Sequence, residues 1–283
     1  MKNLMNDKYS LKMSLAKREY KKYEPVIAQF ELVNHDSNPM PIYNLFEEDS
    51  EEPGVIVIDE KGNKLEINNG VKAYFVPWIH TILQPGDTLI ISMAINNWGS
   101  EASPSEKWLD YDDNIYFGEF GYFEPGNYKA YFYFNNIAQE RYSTSLQSNE
   151  VEFTVKELSE EDKNVLKLYR DLRKQRKFDK ITLDYPDNIF SEHVYARNLL
   201  TKYLGKTSYN TIEVFNNFVN KYPNSFYLLD WNFLSIFLKS ASDFKGNHQE
   251  GINLILNIQT SETLKRVLKN RAFLRYIFPD IEE

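Results

Sequence analysis

Hydrophobic and polar residues alternate along the first half of the chain, as they do in β-strands with one buried face. In PVIAQFELVN (25–34), Val26, Ala28, Phe30 and Leu32 fall on the same side. The other predicted strands lie in GVIVIDEKGNKLEI (54–67, a hairpin with DEKGN as its turn), LQPGDTLIISMAIN (83–96), GNYKAYFYFN (126–135) and SNEVEFTVKE (148–157). Strands separated by turn residues, without a convincing helical window, favour an antiparallel β-sandwich.

From about Ser159 the apolar residues recur at helical spacing. SEEDKNVLKLYRDLRKQ opens with Ser159 three residues before Asp162, close to a capping box. SEHVYARNLLTKYLG ends at Gly205, a favourable helix stop, and YNTIEVFNNFVNKY ends before Pro223, which cannot continue a helix. Further amphipathic stretches follow, so we expect roughly six helices joined by short loops.

The change of period divides the chain near residue 157. We predict a β domain over 1–157 and an all-α domain over 158–283. A length of 283 residues allows two domains with a core each, and the 42% hydrophobic and 15% aromatic content is typical of globular proteins.

Charge and cysteine content exclude several kinds of protein. A net charge of −8 argues against nucleic acid as a partner, because such binders carry a basic face. Without cysteine there is no disulfide framework, no thiolate metal site and no cysteine nucleophile.

The start of the chain and its apolar stretches bear on the cellular compartment in which the protein is expected. The start, MKNLMNDKYSLKMS, lacks the apolar run of a signal peptide. TLIISMAI (88–95) and FYLLDWNFLSIFL (226–238) are too short or too interrupted to span a bilayer. We therefore expect a soluble chain without a transmembrane segment. It is either secreted or periplasmic after removal of a signal, or cytoplasmic.

FEPGNYKAYFYF (123–134) carries a family resemblance. Glu124, Gly126 and Tyr128 alternate as in the F strand of immunoglobulin-like domains, which implies a tyrosine corner at Tyr128, with Ala130 where a cysteine usually stands. Residues 9–157 resemble the immunoglobulin-like sandwiches of bacterial secreted and envelope proteins, and also those of a proteinase-inhibitor family of bacilli.

A second resemblance covers TIEVFNNFVNKYPNSFYLLDWNFLSIFL and DFKGNHQEGINLILNI. These segments are similar to tetratricopeptide (TPR)-like helical hairpins, and Ile212 and Ile252 are about one repeat apart. Asp230 and Trp231 occupy positions where small residues usually let the paired helices approach. At most two repeats are present, so we do not expect an extended solenoid.

The aromatic stretch YKAYFYF (128–134) has two faces. We assign Tyr128, Ala130, Phe132 and Phe134 to the core. The opposite face, with Lys129, Tyr131 and Tyr133, is either surface or covered by the helical half.

INNWGSEASPSEKWLDYDDNIYFGEFGYF (95–123) lacks clean alternation and is predicted to be a long loop. Aromatic rings beside carboxylates suit sugar recognition, so this loop holds the candidate ligand-binding residues: Trp98, Trp108, Asp110, Tyr111, Asp112 and Asp113. The alternative is that both tryptophans fill the end of the sandwich. DYDDN has calcium-loop spacing, but Ile115 replaces the required glycine, so an acidic turn is the better interpretation.

Little in the sequence indicates catalysis. His35, His80, His193 and His248 have no metal-ligand spacing, and neither a GxSxG elbow nor a phosphate loop occurs. We assign no catalytic residue, no metal and no cofactor.

The function predicted from the sequence is a non-enzymatic binding or scaffolding role in a bacterial envelope or secreted system. The expected partner is a protein or peptide, with a glycan as the alternative ligand. The competing hypotheses are a carbohydrate-active hydrolase or peptidase with a site between the domains, and a proteinase inhibitor acting through a sandwich loop.

Overall fold

The computed structural model describes residues 8–42, 54–65, 81–96, 123–138, 142–173, 179–203, 209–229, 231–258, 262–270, 273–274 and 277–278. Its strands are β1 (Tyr9–Leu15), β2 (Glu19–Lys21), β3 (Ile27–Asn34), β4 (Met40–Ile42), β5 (Gly54–Asp59), β6 (Lys64–Leu65), β7 (Thr81–Leu83), β8 (Thr88–Ala94), β9 (Gly126–Ala138), β10 (Tyr142–Gln147) and β11 (Val151–Lys156). Its helices are α1 (Glu160–Arg173), α2 (Asp179–Asp184), α3 (Ile189–Tyr203), α4 (Tyr209–Lys221), a 3-10 turn (Phe226–Leu229), α5 (Trp231–Lys245), α6 (His248–Ile258) and α7 (Glu262–Leu268). The predicted mixture of β and α structure is therefore confirmed. Below, the β half means residues before 158 and the helical half means those from 158 on.

Two sheets and a small ladder make up the β half. The first sheet has the order β1-β3-β8, and the second has the order β2-β11-β9-β5-β6 with β10 paired to β9, while β4 and β7 form the ladder. All of these pairs are antiparallel except β2 with β11, which run parallel. The expectation of a purely antiparallel β half is therefore wrong for that pair.

The predicted inward faces are confirmed except at Phe134, whose side chain lies outside the described residues. Ala28, Phe30 and Leu32 of β3 are buried, and so are Ala130 and Phe132 of β9. The rings of Phe30 and Phe132 lie 4.5 Å apart between centroids, so the buried faces of the two sheets meet.

Local turn chemistry also follows the prediction. The Tyr128 hydroxyl donates to the backbone oxygen of Glu124 at 2.6 Å, which is the hydrogen bond of a tyrosine corner. In the β5–β6 hairpin, the Asp59 carboxylate accepts from the backbone N–H of Lys61 and of Asn63, at 2.9 and 2.8 Å. Gly62 has φ +84°, a conformation that favours glycine.

Helix α1 begins with the predicted capping box. The Asp162 N–H donates to Ser159 Oγ at 3.1 Å, and the Ser159 N–H donates to Asp162 Oδ2 at 3.2 Å. Helix α4 ends at Lys221, before Pro223, as predicted. Among the described residues there are seven α-helices, slightly more than expected.

Helices α5 and α6 approach each other closely at a glycine. A Cβ built on Gly251 would lie 2.6 Å from the Ser242 backbone, nearer than real Cβ atoms come. Gly251 and Ser242 are therefore the small residues that permit this approach. This pair was not predicted from the sequence, in which Asp230 and Trp231 replace the small residues usual in such hairpins.

A single large cluster of buried apolar side chains contains residues of both halves. It includes Phe30, Leu89 and Phe132 of the β half together with Phe218 and Phe233 of the helical half. A smaller cluster lies among α1, α2 and α3. The two halves thus share buried apolar packing.

Candidate functional site at the junction of the two halves

The helical half covers the outer face of β8. Ile90 and Ser92 of β8 lie opposite Glu31 and Gln29 of β3, on the face that points away from Phe30, and both are 3% exposed. From the helical half, the Arg266 guanidinium lies 3.4 Å from Glu31 Oε2. One face of the first sheet therefore packs on the second sheet, and helices cover part of its other face.

A short turn of the β half reaches into the helical half at another point. The Glu24 N–H donates to the Lys21 carbonyl at 2.9 Å and closes the turn Lys21–Glu24. Tyr23, inside the turn, has φ 66°, a left-handed conformation that is costly for a bulky residue. Its side chain packs against the smaller apolar cluster of α1–α3. Packing of Tyr23 in that cluster offsets its strained backbone.

Asp162 receives several donors at the junction. Lys21 Nζ lies 2.7 Å from its Oδ2, Ser159 Oγ donates to the same oxygen at 2.6 Å, and Asn188 Nδ2 donates to Oδ1 at 3.0 Å. Asp162 is 2% exposed. Burial alone would raise its pKa, but the hydrogen bonds from Lys21 and Ser159 outweigh burial, and the pKa of Asp162 is lowered.

Glu192, in the first turn of α3, has a different hydrogen-bond partner from those of Asp162. Ser225 Oγ donates to its Oε1 at 2.6 Å. Burial raises the pKa of Glu192, the Ser225 hydrogen bond opposes that shift, and the negative charge of Glu24 across the junction adds to it. The charge of Lys17 opposes the shift more weakly. Glu192 is therefore a partly buried carboxyl group that binds a proton more readily than usual.

Glu24 belongs to the β half and is itself buried. It forms an ion pair with Lys17, and its Oε2 accepts from the Lys21 N–H at 2.8 Å. Its backbone oxygen accepts from Asn96 Nδ2 at 2.8 Å. These contacts fix Glu24 where its charge acts on Glu192. We call the following residues the junction cluster: Lys17, Lys21, Glu24, Asp162, Glu192 and Ser225.

Tyr222 of the segment after α4 borders the junction cluster. Its hydroxyl is buried and has no hydrogen-bond partner among the described residues. Burial, together with the charge of Glu192, raises the pKa of Tyr222 to about 12. Lys221 Nζ lies 5.3 Å from the centre of the Tyr222 ring and 5.4 Å from that of Tyr195. The phenol stays protonated at neutral pH.

The outer face of the second sheet is a separate surface. Ile56 lies directly opposite Tyr131, and Ile58 lies opposite Lys129. Ile56, Ile58, Tyr131 and Tyr133 are each partly exposed. We call these four residues the tyrosine face. The helices described above pack on the first sheet, on β8.

The predicted ligand-binding residues Trp98, Trp108, Asp110, Tyr111, Asp112 and Asp113 lie outside the described residues, and their assignment stays a prediction. The structure does describe the residues on either side of that segment. Asn96 accepts from the Val26 N–H at 2.8 Å. Phe123 packs with ring centres 5.2 Å from Tyr128 and 5.5 Å from Phe153.

The histidines that the structure describes have separate surroundings. His35 Nε2 lies 2.8 Å from Ser10 Oγ, His193 Nδ1 lies 3.3 Å from Tyr227 Oη, and the His248 ring lies 4.0 Å from that of Phe278. His80 is outside the described residues. Within the described ranges, no three or more histidine, cysteine, aspartate or glutamate side chains are grouped so that they could hold a metal ion.

Sequence reasoning found Asp162 as a cap but missed its role at the junction, and it missed Glu24 and Glu192 altogether. Lys21 and Asp162 are 141 residues apart, so no local spacing links them. The one local signal for Glu192 is an acidic residue in a helical first turn, which commonly has only a helix-dipole explanation.

Comparison with known proteins adds no assignment. No protein-family model matches the chain, and no curated protein matches its sequence. Along the part of the chain that the structure describes, no helix is long and apolar enough to cross a membrane.

Proposed function

We propose that this protein is a non-enzymatic binding or scaffolding protein of a bacterial envelope or secreted system, exported and freed of its signal, and that its partner is a protein or peptide. The observation that carries the proposal is the tyrosine face, an apolar and aromatic surface on a β half that is braced from the opposite side by helices.

The strand order supports an immunoglobulin-like sandwich as the frame. By position within each sheet, β1, β3 and β8 match strands A, B and E of one sheet, and β11, β9, β5 and β6 match G, F, C and C′ of the other. The Tyr128 hydrogen bond falls on the strand that corresponds to F. Such a frame holds its exposed sheet face and its loops in fixed positions for a partner.

The close helix pair supports a TPR-like interpretation of the second half. Gly251 and Ser242 bring α5 and α6 together, as small residues do in helical hairpins. In this proposal the helical half braces the β half and offers a secondary surface for the partner.

The composition of the tyrosine face suits a protein partner. Tyrosine is enriched in protein interfaces, because its ring buries a large area and its hydroxyl still finds a hydrogen bond. The exposed ion pair between Lys129 and Glu152, at 3.1 Å, borders Ile58 on the same face. A polar rim beside an apolar centre is typical of a binding patch.

The test selects peptides from a random displayed library on the wild-type protein and measures their affinity for two variants. The double variant Tyr131→Ser, Tyr133→Ser should lose at least about tenfold in affinity. Leu183→Ser, which alters an apolar side chain that is 77% exposed in α2, should bind as the wild type does. Failure to select any peptide, or equal affinity of the double variant, would contradict the proposal.

A second candidate function is hydrolysis at the junction, on a glycan or peptide substrate. What favours it is Glu192, whose pKa is raised by burial and by the charge of Glu24 across the junction, so that it binds a proton readily. Turnover on a glycan or peptide panel that is lost in a folded Glu192→Gln variant would establish this activity in place of the binding role. If the protein instead slows a protease at stoichiometric dose and shows no turnover, it acts as a proteinase inhibitor.

A further inference from the structure

Helices α1 and α2 pack in a cluster separate from the core that the two halves share. Their buried apolar residues, Val165 and Leu172 of α1 and Ile181 of α2, belong to the smaller cluster, whereas the large cluster contains buried residues of β8 and α5. Among the described members of the smaller cluster, Tyr23 alone comes from the β half. The apolar contact of this cluster with the β half is therefore made through Tyr23.

Tyr23 makes this contact from an unusual backbone conformation. Its φ of 66° is left-handed, and within the described ranges it is the one non-glycine residue with a positive φ. For a bulky residue this conformation is sparsely populated, and it persists only where the surroundings hold it. The Glu24 N–H donates to the Lys21 carbonyl at 2.9 Å, and the Lys21 N–H donates to Glu24 Oε2 at 2.8 Å. These two bonds close the turn around Tyr23, whose ring packs in the smaller cluster.

The two residues before Tyr23 contact different parts of the molecule. The Lys22 N–H donates to the carbonyl of Lys156, the last residue of β11, at 2.8 Å. Lys21 Nζ lies 2.7 Å from Asp162 Oδ2, in the first turn of α1. The turn is thus fixed to the β half by Lys22 and joined to the helical half by Lys21 and Tyr23.

We propose that the turn Lys21–Glu24 is a strained latch for α1 and α2. While the Tyr23 ring packs in the smaller cluster, the two helices stay docked on the β half, and when the ring leaves the cluster they open as a local unit. Because the left-handed backbone of Tyr23 relaxes in the open state, its strain favours opening. The large cluster, and with it β8 and α5, stays closed. The inference concerns motion within the fold and does not depend on the binding function proposed above.

Native-state hydrogen exchange of the wild type tests whether α1 opens as a local unit. The opening free energy and its denaturant dependence are measured for helical amides of 165–172 and for amides of β8 and α5. Protection in α1 should be at least about tenfold below that in β8 and α5, with a smaller denaturant dependence, because a local opening exposes less surface. If α1 exchanges only together with β8 and α5, with the same free energy and the same denaturant dependence, the latch does not exist.

Two substitutions of Tyr23 separate the role of the ring from that of the backbone. Tyr23→Ala removes the ring but keeps a side chain that disfavours the left-handed conformation, so protection in α1 should fall by at least a further factor of about ten, while β8 and α5 keep theirs. Tyr23→Gly also removes the ring but adopts that conformation without strain, so its α1 should stay better protected than that of Tyr23→Ala. Tyr131→Ala, which truncates a partly exposed tyrosine of β9, is the matched control and should leave protection in α1 unchanged.

Two results with the variants would overturn the proposal. An equal loss of protection in α1, β8 and α5 of Tyr23→Ala would mean that the turn stabilises the whole fold and not α1 and α2 alone. Better protection of α1 in Tyr23→Ala than in Tyr23→Gly would mean that the turn holds no left-handed strain. The wild-type comparison needs no variant, and it decides the question if Tyr23→Ala does not fold.

Discussion

The two ends of the junction stabilise opposite forms of a carboxyl group. At one end, Asp162 is 2% exposed and accepts from Lys21, Ser159 and Asn188, so its charged form is stabilised. At the other end, burial and, after it, the negative charge of Glu24 raise the pKa of Glu192 despite the opposing hydrogen bond from Ser225, so its neutral form is favoured. The donors that a carboxyl group receives, and not its burial alone, therefore determine the direction in which its pKa moves.

The two ends of the junction also differ in how they join the β half to the helical half. The Asp162 end joins the helical half to the β half through a hydrogen-bonded ion pair between Lys21 and Asp162. At the Glu192 end, the charge of Glu24 in the β half acts on the pKa of a carboxyl group in the helical half. The substitutions Asp162→Ala, Glu192→Gln and Arg266→Ala test this contrast.

Asp162→Ala should have the largest effect. It removes the partner of Lys21 and the acceptor of Asn188 and of Ser159, and it breaks the cap of α1. Breaking a buried ion pair costs about 3 to 5 kcal/mol, and since Lys21 is partly exposed we expect a loss near the lower end. Denaturant unfolding of the full chain measures the loss.

Glu160→Ala is the matched control for that change, because Glu160 lies in the same first turn and pairs with Lys163 on the surface. It should leave the free energy of unfolding nearly unchanged. The difference between Asp162→Asn and wild type should also shrink as the pH falls through the lowered pKa of Asp162, because its contribution is lost on protonation. Equal losses in Asp162→Ala and Glu160→Ala, or a difference between Asp162→Asn and wild type that does not change with pH, would contradict the role of the Lys21–Asp162 ion pair.

The Asp162 cap is one of the features that could be predicted from the sequence alone. Ser159 and Asp162 are three residues apart, and the buried positions Ala28, Phe30 and Leu32 alternate within one strand, so their roles follow from local geometry. Tyr128 and Glu124 are four residues apart, which made the corner predictable as well.

The remaining features depend on contacts between distant segments. The parallel pairing of β2 with β11 could not be predicted, because β2 has three residues and its partner lies near the end of the β half. The same reason applies to Lys21 with Asp162, to Glu24 facing Glu192, and to the covering of Ile90 by helices. The loop tryptophans Trp98 and Trp108 remain predictions from composition.

Glu192→Gln should have an intermediate effect of opposite sign. The amide keeps an acceptor for Ser225 and never carries the charge that burial disfavours. We expect a gain of about 1 kcal/mol in the free energy of unfolding at pH values above the raised pKa of Glu192, and no gain well below it. Thermal unfolding across pH measures this gain, and a loss of stability at alkaline pH would contradict the assignment.

Arg266→Ala should have the smallest effect. Its ion pair with Glu31 joins the two halves at 3.4 Å, but 56% of the Arg266 side chain is exposed. Exposed pairs contribute little, so we expect a loss below about 0.5 kcal/mol that fades further with added salt. A loss comparable to that of Asp162→Ala would mean that the surface pair, and not the buried one, holds the halves together.

Native-state hydrogen exchange at increasing denaturant tests directly whether the two halves are docked as one unit through a shared core. Amides of β8 in the β half and of α5 in the helical half are compared, since buried residues of both elements lie in the same apolar cluster. If the account is correct, their opening free energies converge on one value and one denaturant dependence, as expected of one cooperative unit. Exchange of α5 through an opening that leaves β8 fully protected would contradict it.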